Sequence, residues 1–279
     1  MIVGKQLRVT APDGRCEEIA RRLDGRVLER IEPVGKHLFY HFGGVEPRFV
    51  HVHLALLGKF RYFKDEIPEP RGAVRVRFDA GEAAVDVHGA RATELLDDEA
   101  TSSIKDRLGP DPLNADADVE KAWRRISKSS APIGGLLMDQ AVVSGIGNIY
   151  RAEVLFRQRI HPLLPGKHLS REQFDGIWAD SVELLKLGVK YDRIITISRE
   201  FAKERFGKTY AKLARRERWY VYKHETCPLT GGPVEAFDLN GRTVYFSPQH
   251  QPWPKALPKP AERKRALKKP RRKKAATKP

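Results

Sequence analysis

The chain has 279 residues, 41% of them hydrophobic, enough for two domains with cores of their own. No apolar run approaches the ~20 residues that span a bilayer, and Met1-Ile2-Val3-Gly4-Lys5 lacks a secretory pattern, so a membrane role is excluded and a cytoplasmic place expected. The net charge of +16 suits polyanionic partners, and the only two cysteines, Cys16 and Cys227, give no disulfide framework.

The first hundred residues read as strands over 27–28, 38–42, 49–57, 74–78 and 84–87, with turn chemistry at Gly43-Gly44 and Asp79-Ala80-Gly81. The alternation Val74-Arg75-Val76-Arg77-Phe78 predicts an antiparallel sandwich or barrel-like domain with one wet face. A loop around Gly109-Pro110-Asp111-Pro112 then leads to a mostly helical region.

There Ile133, Leu136, Leu137, Met138, Ala141 and Val142 recur at helical spacing, as do Ile149, Ala152, Leu155 and Phe156. Between the two runs lies Gly145-Ile146-Gly147-Asn148. The glycines let the backbone turn and approach a ligand closely, and Asn148 is expected to cap the second helix. The open amides and positive end of that helix would seat an anionic oxygen, or the glycines serve only a plain helical hairpin.

Ser170, three residues before Gln173, predicts a capped amphipathic helix through Phe174, Ile177, Trp178, Val182 and Leu185. Strands are expected over 219–223, 234–239 and 243–246, the last two forming a hairpin on Asn240-Gly241 with Arg242 at its tip. From Lys255 to Lys278 twelve Lys/Arg face one acid, Glu262, which predicts a disordered basic arm or a solubilising tail.

Gly35-Lys36-His37-Leu38, Leu108-Gly109-Pro110-Asp111-Pro112-Leu113, Met138-Asp139-Gln140 through Gly145-Ile146-Gly147-Asn148-Ile149-Tyr150, Ile160-His161-Pro162 and the Gly241-Arg242 hairpin together resemble the formamidopyrimidine-DNA glycosylase and endonuclease VIII family, over roughly residues 3 to 252. The lack of a Pro-Arg-Arg-Phe type segment near Gly89-Ala90-Arg91 leans the resemblance toward the endonuclease VIII-like branch. It implies an α+β fold: an N-terminal β-sandwich over 1–100 with its first helix missing, a helix-two-turn-helix domain over 101–215, a β-hairpin finger over 216–253 and a disordered basic tail over 254–279.

The resemblance also implies a monomer that binds damaged double-stranded DNA, removes oxidised bases and cuts the strand in base-excision repair, in the nucleoid if bacterial. In this family an N-terminal proline amine attacks C1′ of the damaged nucleotide, a following glutamate handles protons, and no diffusible cofactor takes part. Lys36 falls where the family has its elimination-assisting lysine and Arg242 where it has the finger arginine, so both are catalytic candidates. Asn148 matches the phosphate-binding asparagine and Lys128 a basic phosphate contact, while Arg71 and Arg91 are looser DNA-contact candidates.

Two departures stand out. The chain begins Met1-Ile2 without the proline–glutamate start, from which we expect either a start codon placed ~20 codons too late, on the dimensions of one short helix, or a noncatalytic binder of damaged DNA. In the finger the family usually has two Cys-x-x-Cys zinc pairs; here Cys227 and Thr230 stand for one, Ser247 and His250 for the other. Cys227 and His250 are too few ligands for a closed site, so the finger is expected to be zincless and held by strand pairing and by Tyr245, Phe246 and Trp253. His51 and His53 alternate on one strand with no nearby carboxylate in sequence and are read as core or solvent-side histidines, not metal ligands. An RNA-associated protein is a further alternative, which the β-rich front half and the Arg242 hairpin disfavour.

Overall fold

The computed structural model describes residues 2–55 and 58–258. The basic tail from 259 on, and 56–57 of the strand expected over 49–57, lie outside the described residues. The chain divides into two compact units, Met1–Asp111 and Pro112 onward.

The first unit is built from β1 (Gln6–Thr10), α1 (Glu17–Leu23), β2 (Arg26–Val34), β3 (His37–Phe42), β4 (Phe49–His53), β5 (Lys59–Lys64), β6 (Val74–Asp79), β7 (Ala83–His88), β8 (Ala92–Leu96) and α2 (Asp98–Arg107). Its strands run in the order β5-β7-β6-β1-β2-β3-β4-β8, every neighbour antiparallel. The β1–β2 ladder is short, Gln6 opposite Val27 and Leu7 opposite Arg26. In a flat sheet β3 and β6, three strands apart, would lie about 14 Å from each other. Tyr40 and Phe78 instead stack at 4.9 Å between ring centroids, so the sheet folds over on itself into two halves enclosing one core with Leu7, Phe42, Val50, Val76 and Val85.

The polar face expected on β6 is not wet. Arg77 is buried and forks onto Asp86 at 2.6 and 3.0 Å, with its remaining nitrogen on the Pro68 carbonyl at 2.7 Å, while Arg75 pairs with Asp13 at 3.0 Å. The loop ahead of β6 covers that face, and pairing makes the burial tolerable. The first unit takes in α2, where Arg48 bonds Asp98 at 2.6 Å and Lys105 bonds Glu32 at 2.8 Å.

The second unit carries α3 (Val119–Ile126), α4 (Ile133–Leu136), α5 (Asn148–Arg157), α6 (Arg171–Tyr191), α7 (Arg199–Phe206) and the hairpin β9 (Glu235–Leu239) with β10 (Arg242–Phe246). Ser170 and Gln173 complete the expected capping box of α6, each side chain meeting the other's backbone N–H, at 3.1 and 3.0 Å. The helix expected to run to Val142 ends at Leu136. Two glycines weaken it, and Asp139 then ends the run by accepting the Ala141 N–H at 2.9 Å, an Asx turn.

The strand expected over 219–223 does not form. The N–H groups of Tyr220, Val221 and Tyr222 donate to the carboxylate of Glu153 at 2.7, 2.8 and 2.7 Å, and the Thr196 hydroxyl adds a fourth bond at 2.7 Å. A buried acid on α5 thus takes the place of a ladder partner, which satisfies both the acid and the backbone.

Candidate nucleic-acid interface

In the second unit the glycine turn and the hairpin meet. Gly145 takes φ +88°, and the Gln140 carboxamide braces the loop, accepting from the Gly145 N–H at 3.0 Å and donating to the carbonyls of Met138 and Ile146 at 3.1 Å. Gly147, with extended backbone, occupies the cap position of α5, and no side chain caps the helix. The amides of the first turn therefore keep their capacity for an anion.

Asn148 is thus the first residue of α5 and does not serve as its cap. Its Nδ2 donates to the Thr243 carbonyl on β10 at 3.1 Å, and its Oδ1 accepts from Arg151 Nη2. Asn240 and Gly241, at φ +54° and +72°, form the left-handed turn that Asn-Gly predicts, and Arg242 follows, exposed, opposite Leu239. Leu239 and Asn240 approach α4 closely enough that a Cβ on Gly134 would meet the Pro162 carbonyl at 2.9 Å and Leu239 at 3.4 Å. The hairpin tip is seated on α4 and α5, with Asn148 and Arg242 flanking Thr243.

Lys128 stands exposed in the turn after α3, and the structure ties it to neither Asn148 nor Arg242 among the described residues. Arg151 and Glu153 were missed by sequence reasoning. Their signal was two charges inside the otherwise apolar run of α5, with Arg151 three residues from Asn148 and so on the same face.

In the first unit Lys36 is exposed in the β2–β3 turn, where the Gly35 N–H donates to Asp111 Oδ2 at 2.7 Å. Beside it three imidazoles stack, His37 on His51 at 5.0 Å and on His53 at 4.6 Å. His37 Nδ1 and His51 Nε2 share a hydrogen bond of 2.7 Å, and His51 Nδ1 lies 3.3 Å from Glu94 Oε2. The carboxylate missing near these histidines in sequence is therefore supplied by β8 across the ladder. Burial, then His53, His51 and Lys36, pull the His37 pKa down to about 4. Burial, then His51, Arg91 and Lys36, lower that of His53. Lys36 and Arg91 thus both act as cations on His53, whereas Arg71 stands exposed in the loop leading into β6.

The finger's donor set does not fit a tetrahedral zinc site. Cys227 is buried among Phe156, Val221 and Val234, Thr230 accepts the Gly232 N–H at 3.3 Å, and His250 stacks on Phe156 at 4.2 Å. The Ser247 backbone is held by Gln251, whose carboxamide also bonds the Ile160 carbonyl at 2.8 Å. Among the described residues no group of three or more His, Cys, Asp or Glu could hold a metal ion. The hairpin also packs on an apolar cluster: Phe237, Leu239, Val244 and Phe246 gather with Leu163 and Trp253, and Tyr245 meets Tyr222 at 5.1 Å.

Comparison with known proteins agrees with this organisation. The formamidopyrimidine-DNA glycosylase N-terminal domain matches residues 2–94 and the H2TH domain of the same enzymes matches 108–200. Endonuclease 8 1 of Mycobacterium tuberculosis (strain H37Rv) is 42% identical over 251 residues, 88% of this chain and 91% of its own. Formamidopyrimidine-DNA glycosylase of Streptococcus pneumoniae (strain R6) is 29% identical over 242 residues, 84% and 85% of the two chains. The Lactococcus lactis Fpg, solved with DNA containing an abasic site, shares the fold at a TM-score of 0.72 and 23% identity over 90% of this chain and 94% of that one. A folded β-sheet domain, a helix-two-turn-helix element and a terminal hairpin define a class of base-excision DNA glycosylases. This chain belongs to the formamidopyrimidine-DNA glycosylase and endonuclease VIII family.

Proposed function

We propose that the protein binds damaged double-stranded DNA as a monomer and acts as a DNA glycosylase with abasic-site lyase activity, releasing oxidised bases and cutting the strand by β/δ-elimination. The observation that carries this reading is the junction at Thr243, where Asn148, beside an uncapped helix start, stands next to the hairpin bearing Arg242. That combination suits a phosphate of a distorted backbone: a carboxamide N–H, helix amides and a guanidinium that can bind two oxygens at once.

Lys36 is assigned to the elimination, where its ammonium would assist proton transfer near the sugar. Lys128, Arg71 and Arg91 are assigned to further backbone contacts. The reaction needs the damaged nucleotide extruded from the stack, which a damaged or mispaired base resists least. An amine then attacks C1′ as the glycosidic bond breaks and the base leaves with the bonding electrons and a proton. The C1′–O4′ bond then opens as O4′ takes up a proton, and the resulting iminium activates C2′–H for loss of the 3′ phosphate. No cofactor is required, and the finger is assigned as zincless. The cell interior, with its DNA, is the expected place of action.

Borohydride trapping on an abasic-site oligonucleotide tests the reading, because hydride converts the iminium into a stable amine. The expected result is a covalent adduct. Tight binding of abasic duplex with no adduct would leave a noncatalytic binder, and preference for structured RNA would overturn the reading.

A further inference from the structure

Helix α5 carries a buried charge that the roles above do not use. The Arg151 side chain is fully buried, 0% exposed. Its Nη1 donates to the Gly134 carbonyl at 3.0 Å, and its Nη2 to Asn148 Oδ1 and, at 3.5 Å, to the Thr243 carbonyl. Its Nε, also buried, has no partner, and no carboxylate ion-pairs with the guanidinium among the described residues. Burial draws its pKa down to about 10, Arg242 adds a like charge, and Asp238 and Tyr222 act the other way through space.

Holding a cation in such a place is costly, and an apolar side chain of the same length would fill the space without that cost. The geometry shows what the cation does. Arginine can only donate, so the Asn148 carboxamide must turn Oδ1 toward Arg151 and Nδ2 toward Thr243. One Nδ2 hydrogen meets the Thr243 carbonyl; the other is left for a ligand.

We propose that Arg151 is a positioning residue for anion capture: it locks the Asn148 carboxamide with Nδ2 as the donor and places an uncompensated positive charge behind the start of α5, which a DNA backbone phosphate neutralises. The inference rests on the DNA-binding reading above. Arg151 does not touch the DNA; it acts through Asn148 and through its field.

The test compares Arg151→Met, Arg151→Lys, Asn148→Ala and the Met/Ala double variant. Affinity is read by fluorescence anisotropy for a duplex with a tetrahydrofuran abasic analogue, and stability by thermal unfolding. Arg151→Met is expected to bind roughly tenfold or more weakly while its unfolding midpoint stays or rises, and the double variant should bind more weakly than Asn148→Ala but by less than the two single losses combined. Arg151→Lys, which keeps the charge without the fork, should fall between. Wild-type affinity in Arg151→Met overturns the proposal. So does a loss that adds in full to that of Asn148→Ala, or a Met variant that unfolds while Arg151→Lys binds as wild type, since these mark a merely structural residue. Failure of the wild-type protein to bind the abasic duplex sinks the DNA-binding reading itself, a result distinct from these.

Discussion

Asn148 on α5 and Thr243 on β10 are joined by a hydrogen bond of 3.1 Å from a carboxamide to a backbone carbonyl, and this bond ties the hairpin to the helix-two-turn-helix element. The hairpin arginine is thereby held next to the helix start, so an anion meets both on one surface. The geometry of Arg242 depends on a residue almost a hundred positions earlier.

Removing either partner of the anion site should leave different salt signatures. Arg242→Ala should weaken binding to abasic duplex and reduce the slope of log K against log salt by about 1, since one cation no longer displaces counterions. Asn148→Ala should weaken binding by about 1–3 kcal/mol with the slope unchanged, because an uncharged donor is lost. Equal slopes in the two variants would contradict the arrangement.

Glu153→Gln should destabilise the second unit by about 2–4 kcal/mol, although it changes only one atom. The carboxylate accepts four bonds on two oxygens, and a carboxamide would turn an NH2 toward N–H donors that can find no other partner. Urea unfolding measures it. A change below about 1 kcal/mol would mean that segment 219–222 is held by packing of Trp219 and Tyr220 rather than by the acid.

His161 sets a pH dependence on stability. Its Nδ1 accepts the Leu163 N–H at 3.2 Å, its ring abuts Phe246 and Trp253, and burial lowers its pKa from 6.5 to about 4. The unfolded chain takes up a proton near 6.5 that the folded one refuses, so this contribution is full above about 6.5 and is lost as pH falls toward 4. His161→Phe should flatten the dependence of the unfolding midpoint over that window; an unchanged slope would show that the imidazole is protonated in the fold.

Chelation should leave the finger intact. With Cys227 buried in an apolar cluster and His250 stacked on Phe156, treatment with a strong zinc chelator should shift neither the melting temperature nor duplex affinity, and metal analysis should find about zero equivalents per chain. A melting temperature that falls on chelation and recovers with zinc would refute the zincless assignment.

Much of this architecture was legible in the residues. Asn240-Gly241 dictates its turn locally, since both positions need left-handed angles, and the Ser170–Gln173 box marks where α6 starts because the bonds close within one turn. Ordered motifs from Lys36 to Arg242 carried the family. Where a backbone group found its partner far along the chain, local pattern misled. The amides at 220–222 went to Glu153 instead of a strand, Asn148 reached Thr243 instead of capping its own helix, and the charged face of β6 was closed over by Asp86 and the Pro68 carbonyl. Short-range chemistry is written in neighbouring residues, so sequence alone determined the hairpin turn, the start of α6 and the family. The choice of partner for a buried charge depends on which distant segment arrives beside it, and only the tertiary structure decided that for Arg151, Glu153 and the imidazoles at Lys36.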